Sequence, residues 1–329
     1  MQRLKELDSL RGIACLFVLL FHYTTRYSEI FNISITSSLI NFKYGGLGVD
    51  LFFIISGFVI LLTIKKTTSP VEFAFKRFSR LYPTFWVCMF ITFFIVKSSD
   101  LIDYHRSFSD LLINLTMIPD IFGVKRIDGV YWSLLPELAF YLLMLIMILT
   151  KKIKNINIIC YIWLGVILLN SFQDVMPIRV LLNLRFGHLF IIGISFYKIK
   201  SGDSNWQNHL LILFSYLTSL SITDSIEKQI ILLGFIVVFY LFVYNRLKWI
   251  KIKPLILVGK ISYALYLIHQ FIGYIIISEL LKNGIENRIL LILVPTTIVL
   301  VMSYIITFYI EKPVQLFLRK TWTNHYTNR

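Results

Sequence analysis

The chain reads as an all-α, polytopic transmembrane helix bundle of about ten spans with both termini cytoplasmic. Three observations carry that reading. Of 329 residues, 57% are hydrophobic and 16% charged, whereas a soluble domain has roughly 45–50% apolar and 25% charged residues. The mean hydropathy is +0.73. The apolar residues fall into runs of helical length, and short loops rich in lysine and arginine separate them.

With about 20 apolar residues per span as the yardstick, the expected helices are 9–25, 47–64, 82–97, 131–150, 156–171, 178–197, 208–222, 228–245, 255–281 and 289–310. The segment 107–122 is apolar but holds Asp110, Asp120 and Pro119, and is expected to lie at an interface or re-enter the membrane. Basic residues gather before the first span, between Lys65 and Arg80, at Lys151–Lys154, at Lys198 and Lys200, between Arg246 and Lys260, and from Lys312 onward. All of these fall on one side when both termini are cytoplasmic, as the positive-inside rule requires. The formal charge of +15 is thereby explained without nucleic acid as a partner. Arg3 and Lys5 ahead of an apolar run imitate a signal peptide, yet Arg11 and His22 interrupt the run and no small-x-small site follows. The run therefore reads as a retained first span. Cys15, Cys88 and Cys160 lie in apolar runs without CxxC spacing, which speaks against disulfides and zinc; no HxxxH or HExxH pair suggests a metal. No long linker or low-complexity tract is visible, so 1–329 is expected to be a single integral membrane domain.

In the first span, LDSLRGIACLFVLLFHY, eleven positions turn through roughly 1100°, which puts Arg11 and His22 on one helix face about 16 Å apart. An ionisable group at membrane depth is a functional hypothesis by default. Next comes GGLGVDLFFIISGF, where Asp50 can cap free N–H groups and Ser56 and Gly57 allow a neighbouring backbone to approach. In the basic loop 65–83, Arg77 and Arg80 share a face of a short helix ended by Pro83. By charge alone they read first as topology determinants that touch anionic lipid headgroups; the sharper reading is a phosphate site. In GVYWSLLPELAFYLL, Glu137 follows Trp132 and Pro136; it is expected either to pair with an arginine such as Arg185 or to orient His22 and hold a polar substrate. His188, beside Arg185 and Gly187, reads as part of a satisfied internal pair. In the ninth span Gly259, Ser262, Tyr266, His269 and Gly273 fall on one face, which fits a close helix contact or a polar cavity.

In their order these blocks resemble the acyltransferase family 3 integral membrane proteins, which O-acylate bacterial surface glycans. The resemblance rests on LDSLRGIA with its later histidine, GVDLFFIISGF, KRFSRLYP, WSLLPE followed by FYLL, GKISYALYLIHQ, and the closing Glu311-Lys312-Pro313. It implies functional positions at Arg11, His22, Arg77, Arg80, Trp132 and Glu137. Leu138 stands where a second acidic residue is common, which argues against a paired-carboxylate mechanism. The hydrolase-like domain that some members carry is not expected here, so acyl hand-off to such a domain is expected to need a separate protein.

The expected activity is transfer of an acyl group, an acetyl first of all, from cytoplasmic acyl-CoA to a hydroxyl of a glycan or lipid-linked glycan precursor. His22 is the expected base or acyl carrier, with Arg11 and Glu137 beside it in the catalytic set. Arg77 and Arg80 are expected to hold CoA phosphates, and Trp132, Tyr266 and His269 to line the substrate site. Acyl-CoA enters as a substrate, with no permanently bound cofactor. The implied setting is the bacterial cytoplasmic membrane, with membrane lipids as neighbours. A proton-coupled transporter using His22, Glu137 and His269 is the alternative, although no internal repeat supports it.

Overall fold

A computed structural model describes residues 4–33, 41–67, 69–172, 176–203, 205–223 and 225–326. The described residues contain helices and no strand. In chain order the α-helices are α1 (Lys5–Phe21), α2 (Tyr27–Phe31), α3 (Gly48–Ile64), α4 (Pro70–Lys97), α5 (Phe108–Asn114), α6 (Leu134–Leu149) and α7 (Ile156–Phe172). They continue with α8 (Met176–Leu181), α9 (Gly187–Lys200), α10 (Trp206–Ile222), α11 (Ile226–Val243), α12 (Lys253–Lys282), α13 (Arg288–Ile305) and α14 (Lys312–Tyr326). Among the described residues, eight helical stretches are long and apolar enough to cross a membrane, so the protein is a multi-pass membrane protein. The expected spans 178–197 and 208–222 appear as the shorter helices α9 and α10.

Three boundaries depart from the sequence reading. Pro83 does not end a helix, because α4 runs through it from Pro70 to Lys97. The start of α4 carries its own signal in Ser69-Pro70-Val71-Glu72: the Ser69 hydroxyl accepts the Glu72 N–H at 3.1 Å, and proline fits the first helical position. The sixth span starts at Gly187 rather than 178, since Asn183 takes a left-handed conformation with φ of 51° and separates α8 from α9. The last span does not stop at 310. A π-helical turn, Ile306–Glu311, leads directly into α14. Pro313 follows that turn, and the clash of its ring with the carbonyl four residues back is a local reason for widening the helix there.

Backbone contacts divide the chain into two compact units, one of 1–14, 47–74 and 136–256, the other of 15–46, 75–135 and 257–329. In the first unit α3 and α9 are pressed together. A Cβ on Gly57 would collide with the Phe190 carbonyl, and one on Gly193 with the Ile54 carbonyl. This close approach is the role expected for Gly57. Around it Phe190 stacks on Phe140 at 4.2 Å and packs against Phe53 at 5.0 Å. In a lipid setting such van der Waals contact drives helix association, because hydrocarbon outside is as apolar as the core.

In the second unit, side-chain bonds show that three helical runs lie parallel. Cys15 reaches the Ser262 carbonyl, Tyr23 the His269 carbonyl and Tyr27 the Ser278 hydroxyl, so the first helical run and α12 ascend together. Tyr263 donates to the Leu81 carbonyl, and Lys282 pairs with Asp100 just beyond α4, so α4 ascends alongside as well. We predict that Gly57→Val lowers the thermal stability of the detergent-solubilised protein by roughly 1–3 kcal/mol through overpacking. Gly165→Ala, where nothing lies within 4 Å of the new methyl, should leave it unchanged or slightly raised.

Candidate active site

His22 opens a π-helical turn, His22–Arg26, that separates α1 from α2. The widening has identifiable causes. His22 Nδ1 lies 2.8 Å from the Val18 carbonyl, and the Thr24 hydroxyl donates to the Leu20 carbonyl at 2.7 Å. Side-chain donors thus compete for carbonyls of the preceding turn, and the Tyr27 N–H bonds to the His22 carbonyl, five residues back. The turn places the His22 imidazole against α12, its ring centroid 4.8 Å from that of His269.

The two imidazoles form an ordered chain. His269 Nδ1 is 2.8 Å from the Tyr266 carbonyl, and His269 Nε2 is 3.1 Å from His22 Nδ1. A carbonyl only accepts, so His269 carries its proton on Nδ1 and offers the Nε2 lone pair. His22 Nδ1 faces both that lone pair and the Val18 carbonyl, so it is the protonated nitrogen. The remaining nitrogen, His22 Nε2, therefore holds the basic lone pair. His269 is 1% exposed, whereas His22 keeps partial exposure. The pair thus has one fully buried member and one that is partly exposed.

The surroundings fix this geometry. The Tyr23 hydroxyl donates to the His269 carbonyl at 2.8 Å, and its ring occupies the space that a side chain at Gly273 would fill. The small residue on the Gly259–Gly273 face thereby admits an aromatic ring from the first helical run. Tyr266 donates its hydroxyl to the Val130 carbonyl at 3.0 Å, tying α12 to the 3₁₀ turn Gly129–Ser133 that carries Trp132.

Asp128, which sequence reasoning passed over, holds the same junction from the other side. One carboxylate oxygen accepts the Val130 N–H at 3.1 Å and the other the Phe271 N–H at 3.3 Å, with the residue fully buried. The Asp-Gly step ahead of an expected helix was the available signal. Asn114 completes the support by accepting the Ile127 N–H at 3.1 Å and donating to the Lys125 carbonyl at 3.1 Å.

The family model for an acyltransferase domain, acyltransferase family 3, matches residues 4–312. The chain belongs to that family. O-acetyltransferase OatA of Staphylococcus aureus is 25% identical over 373 aligned residues, which cover 95% of this chain and 57% of that protein. The chain thus spans little more than half the length of that relative. The exopolysaccharide production protein ExoZ of Rhizobium meliloti is 40% identical over 48 residues, 14% of this chain and 15% of its own. No solved structure matches.

Against family membership, the expected site residues sort by unit. His22, His269, Tyr266 and Trp132 fall in the second unit, as do Arg77 and Arg80, which lie on α4 partly exposed. Arg80 is within electrostatic range of Glu311, the glutamate of the closing motif. Arg11 and Glu137 belong to the first unit. Glu137 does not pair with Arg185. Its carboxylate accepts the Tyr141 and Ser56 hydroxyls, while the Arg185 guanidinium lies over the Phe186 ring. Two hydroxyls a helical turn or a neighbouring helix away can satisfy a carboxylate without the cost of burying a second charge. His188 is not a satisfied pair either, since its buried Nδ1 has no hydrogen-bond partner.

Replacing Asp128 by alanine strands the Val130 and Phe271 N–H groups. Each buried donor left unpaired costs about 1–3 kcal/mol, so the variant should melt earlier and exchange the Phe271 amide faster in hydrogen-exchange measurements. Unchanged exchange at Phe271 would contradict the assigned bond.

Proposed function

We propose that the protein is a membrane O-acyltransferase that moves an acyl group, first of all acetyl, from acyl-CoA to a hydroxyl of a glycan or lipid-linked glycan. The observation that carries this reading is the oriented imidazole chain, which leaves the basic lone pair on Nε2 of the partly exposed His22, in a chain of this family with O-acetyltransferase relatives. His22 Nε2 accepts the proton of the acceptor hydroxyl as its oxygen attacks the thioester carbonyl. The tetrahedral oxyanion collapses, the carbon–sulfur bond breaks, and the departing thiolate takes the proton from the His22 imidazolium. A positioned base of this kind contributes roughly 10²–10⁴ in rate.

His269 acts through His22. By accepting its Nδ1–H it fixes the tautomer and stabilises the imidazolium as it forms, the part a carboxylate plays in a hydrolytic triad. Arg77 and Arg80 are assigned to the CoA phosphates, for which guanidinium forks are suited, and Arg11 to negative charge on the donor. Glu137, whose carboxylate accepts the Tyr141 and Ser56 hydroxyls, keeps its assignment to the catalytic set. The cytoplasmic membrane of a bacterium is the setting this chemistry calls for, with donor supplied from the cytosol.

The test is incorporation of labelled acetyl groups from acetyl-CoA into glycan by the purified protein in lipid vesicles. His22→Ala should lower turnover by 10²–10⁴-fold while the protein still inserts and folds. His269→Ala should lower kcat by a smaller factor with little change in KM, and Arg77→Ala should raise the KM for acetyl-CoA at nearly constant kcat. A transporter would give no incorporation at all, and full activity of His22→Ala would end the assignment.

A further inference from the structure

A cleft of about 620 Å³ opens in the second unit where the three parallel helical runs end. It draws its walls from the end of α2, from the turn after α4, and from the last two turns of α12. Its volume falls in the range of small-molecule sites. Each of these runs starts beside a basic stretch, at Arg3 and Lys5, at Lys76 to Arg80, and at Lys251 to Lys260. By the positive-inside rule their far ends, and the cleft with them, face away from the cytosol.

The walls combine rings with charge. Phe31 and Tyr104 face the cleft, together with the carboxylates of Asp100, Asp103 and Glu279, and a single cation, Lys282. Lys282 is already engaged by Asp100 and by Glu279. It holds the Asp100 carboxyl below its ordinary range, so that group is ionised at neutral pH. Three helix C-termini converge on the same place, and each presents the negative end of its dipole. The field in the cleft is therefore negative from two independent sources.

The cleft also leads toward the histidine pair. The Phe31 ring meets Tyr274 edge-on with centroids 5.8 Å apart, and Tyr274 lies 6.5 Å from the His22 ring. One buried tyrosine thus separates the cleft wall from the proposed base.

We propose that this cleft is the acceptor site of the acyl transfer proposed above, and that it takes neutral or amine-bearing saccharides and turns away anionic ones. Aromatic faces suit the apolar faces of sugar rings, and the carboxylates accept hydroxyl and ammonium donors. A uronate or phosphate group would meet like charge on three sides, an arrangement that rejects a ligand more effectively than missing contacts do. Because the proposal rests on the acyltransferase reading, its test separates binding from chemistry.

Binding of three oligosaccharides of equal length is measured on the purified protein without acetyl-CoA: a chitosan oligomer, its N-acetylated form, and an oligogalacturonate. The expected order is amine-bearing first, neutral next, and the anionic probe at least tenfold weaker than either. Asp103 is exposed, so Asp103→Asn should fold normally and weaken the chitosan oligomer roughly two- to tenfold. Lys282→Gln should move the same probe in the opposite direction. Raising the salt should compress the differences. Tighter binding of oligogalacturonate, or binding of all three probes unmoved by both variants, overturns the acceptor site while leaving acyl transfer intact. The expected binding order in a protein that transfers no acyl group would instead sustain the cleft and remove the acyltransferase.

Discussion

The structure around the proposed active site depends on one hydrogen bond between two histidines on neighbouring parallel helices. His22 and His269 meet at 3.1 Å only because the helical runs that carry them keep a constant register, with Cys15 against Ser262 below and Tyr27 against Ser278 above. Parallel helices in a membrane cannot be joined by a short loop, so their register has to come from side chains. Here a thiol and a tyrosine hydroxyl reach backbone carbonyls, and a second tyrosine meets a serine hydroxyl. Interhelical bonds of this type are individually modest, and the arrangement relies on several acting along one seam.

The second constraint is the local widening of the helix at His22. At the π turn the His22 and Thr24 side chains reach the Val18 and Leu20 carbonyls, so the imidazole is anchored at Nδ1 and the basic lone pair falls on Nε2. A similar π turn precedes the closing Glu311-Lys312-Pro313 motif, where Glu311 comes within range of Arg80. Both π turns among the described residues of the second unit therefore coincide with ionisable side chains, which fits the general association of such turns with function.

Much of this was legible in the sequence. The helical class followed from hydropathy. The ordered motif blocks pointed to the family, and the unusual cost of a histidine and an arginine in an apolar span singled out His22 and Arg11. The 3-and-4 spacing from Gly259 to Gly273 marks the face of α12 that meets Tyr23 and the Val130 carbonyl. What the sequence left open was set by tertiary contact. Periodicity cannot say which helix will lie beside which, so His269 read as a cavity residue rather than the direct partner of His22. The Asp-Gly step marks Asp128 as a local cap for the Val130 N–H, but its second bond, to an amide 143 residues away, leaves no local trace. Pro83 misled for the converse reason: its local helix-breaking tendency is outweighed by the capped, amphipathic turn before it and the apolar span after it.

Nitrogen-15 NMR of histidine-labelled protein in lipid bilayers reports directly where the protons of the two imidazoles sit. The expected spectrum shows a His22 protonated at Nδ1 with a bare Nε2, coupled through space to the unprotonated Nε2 of His269. A His22 protonated at Nε2, or the absence of any contact between the two imidazoles, would contradict it.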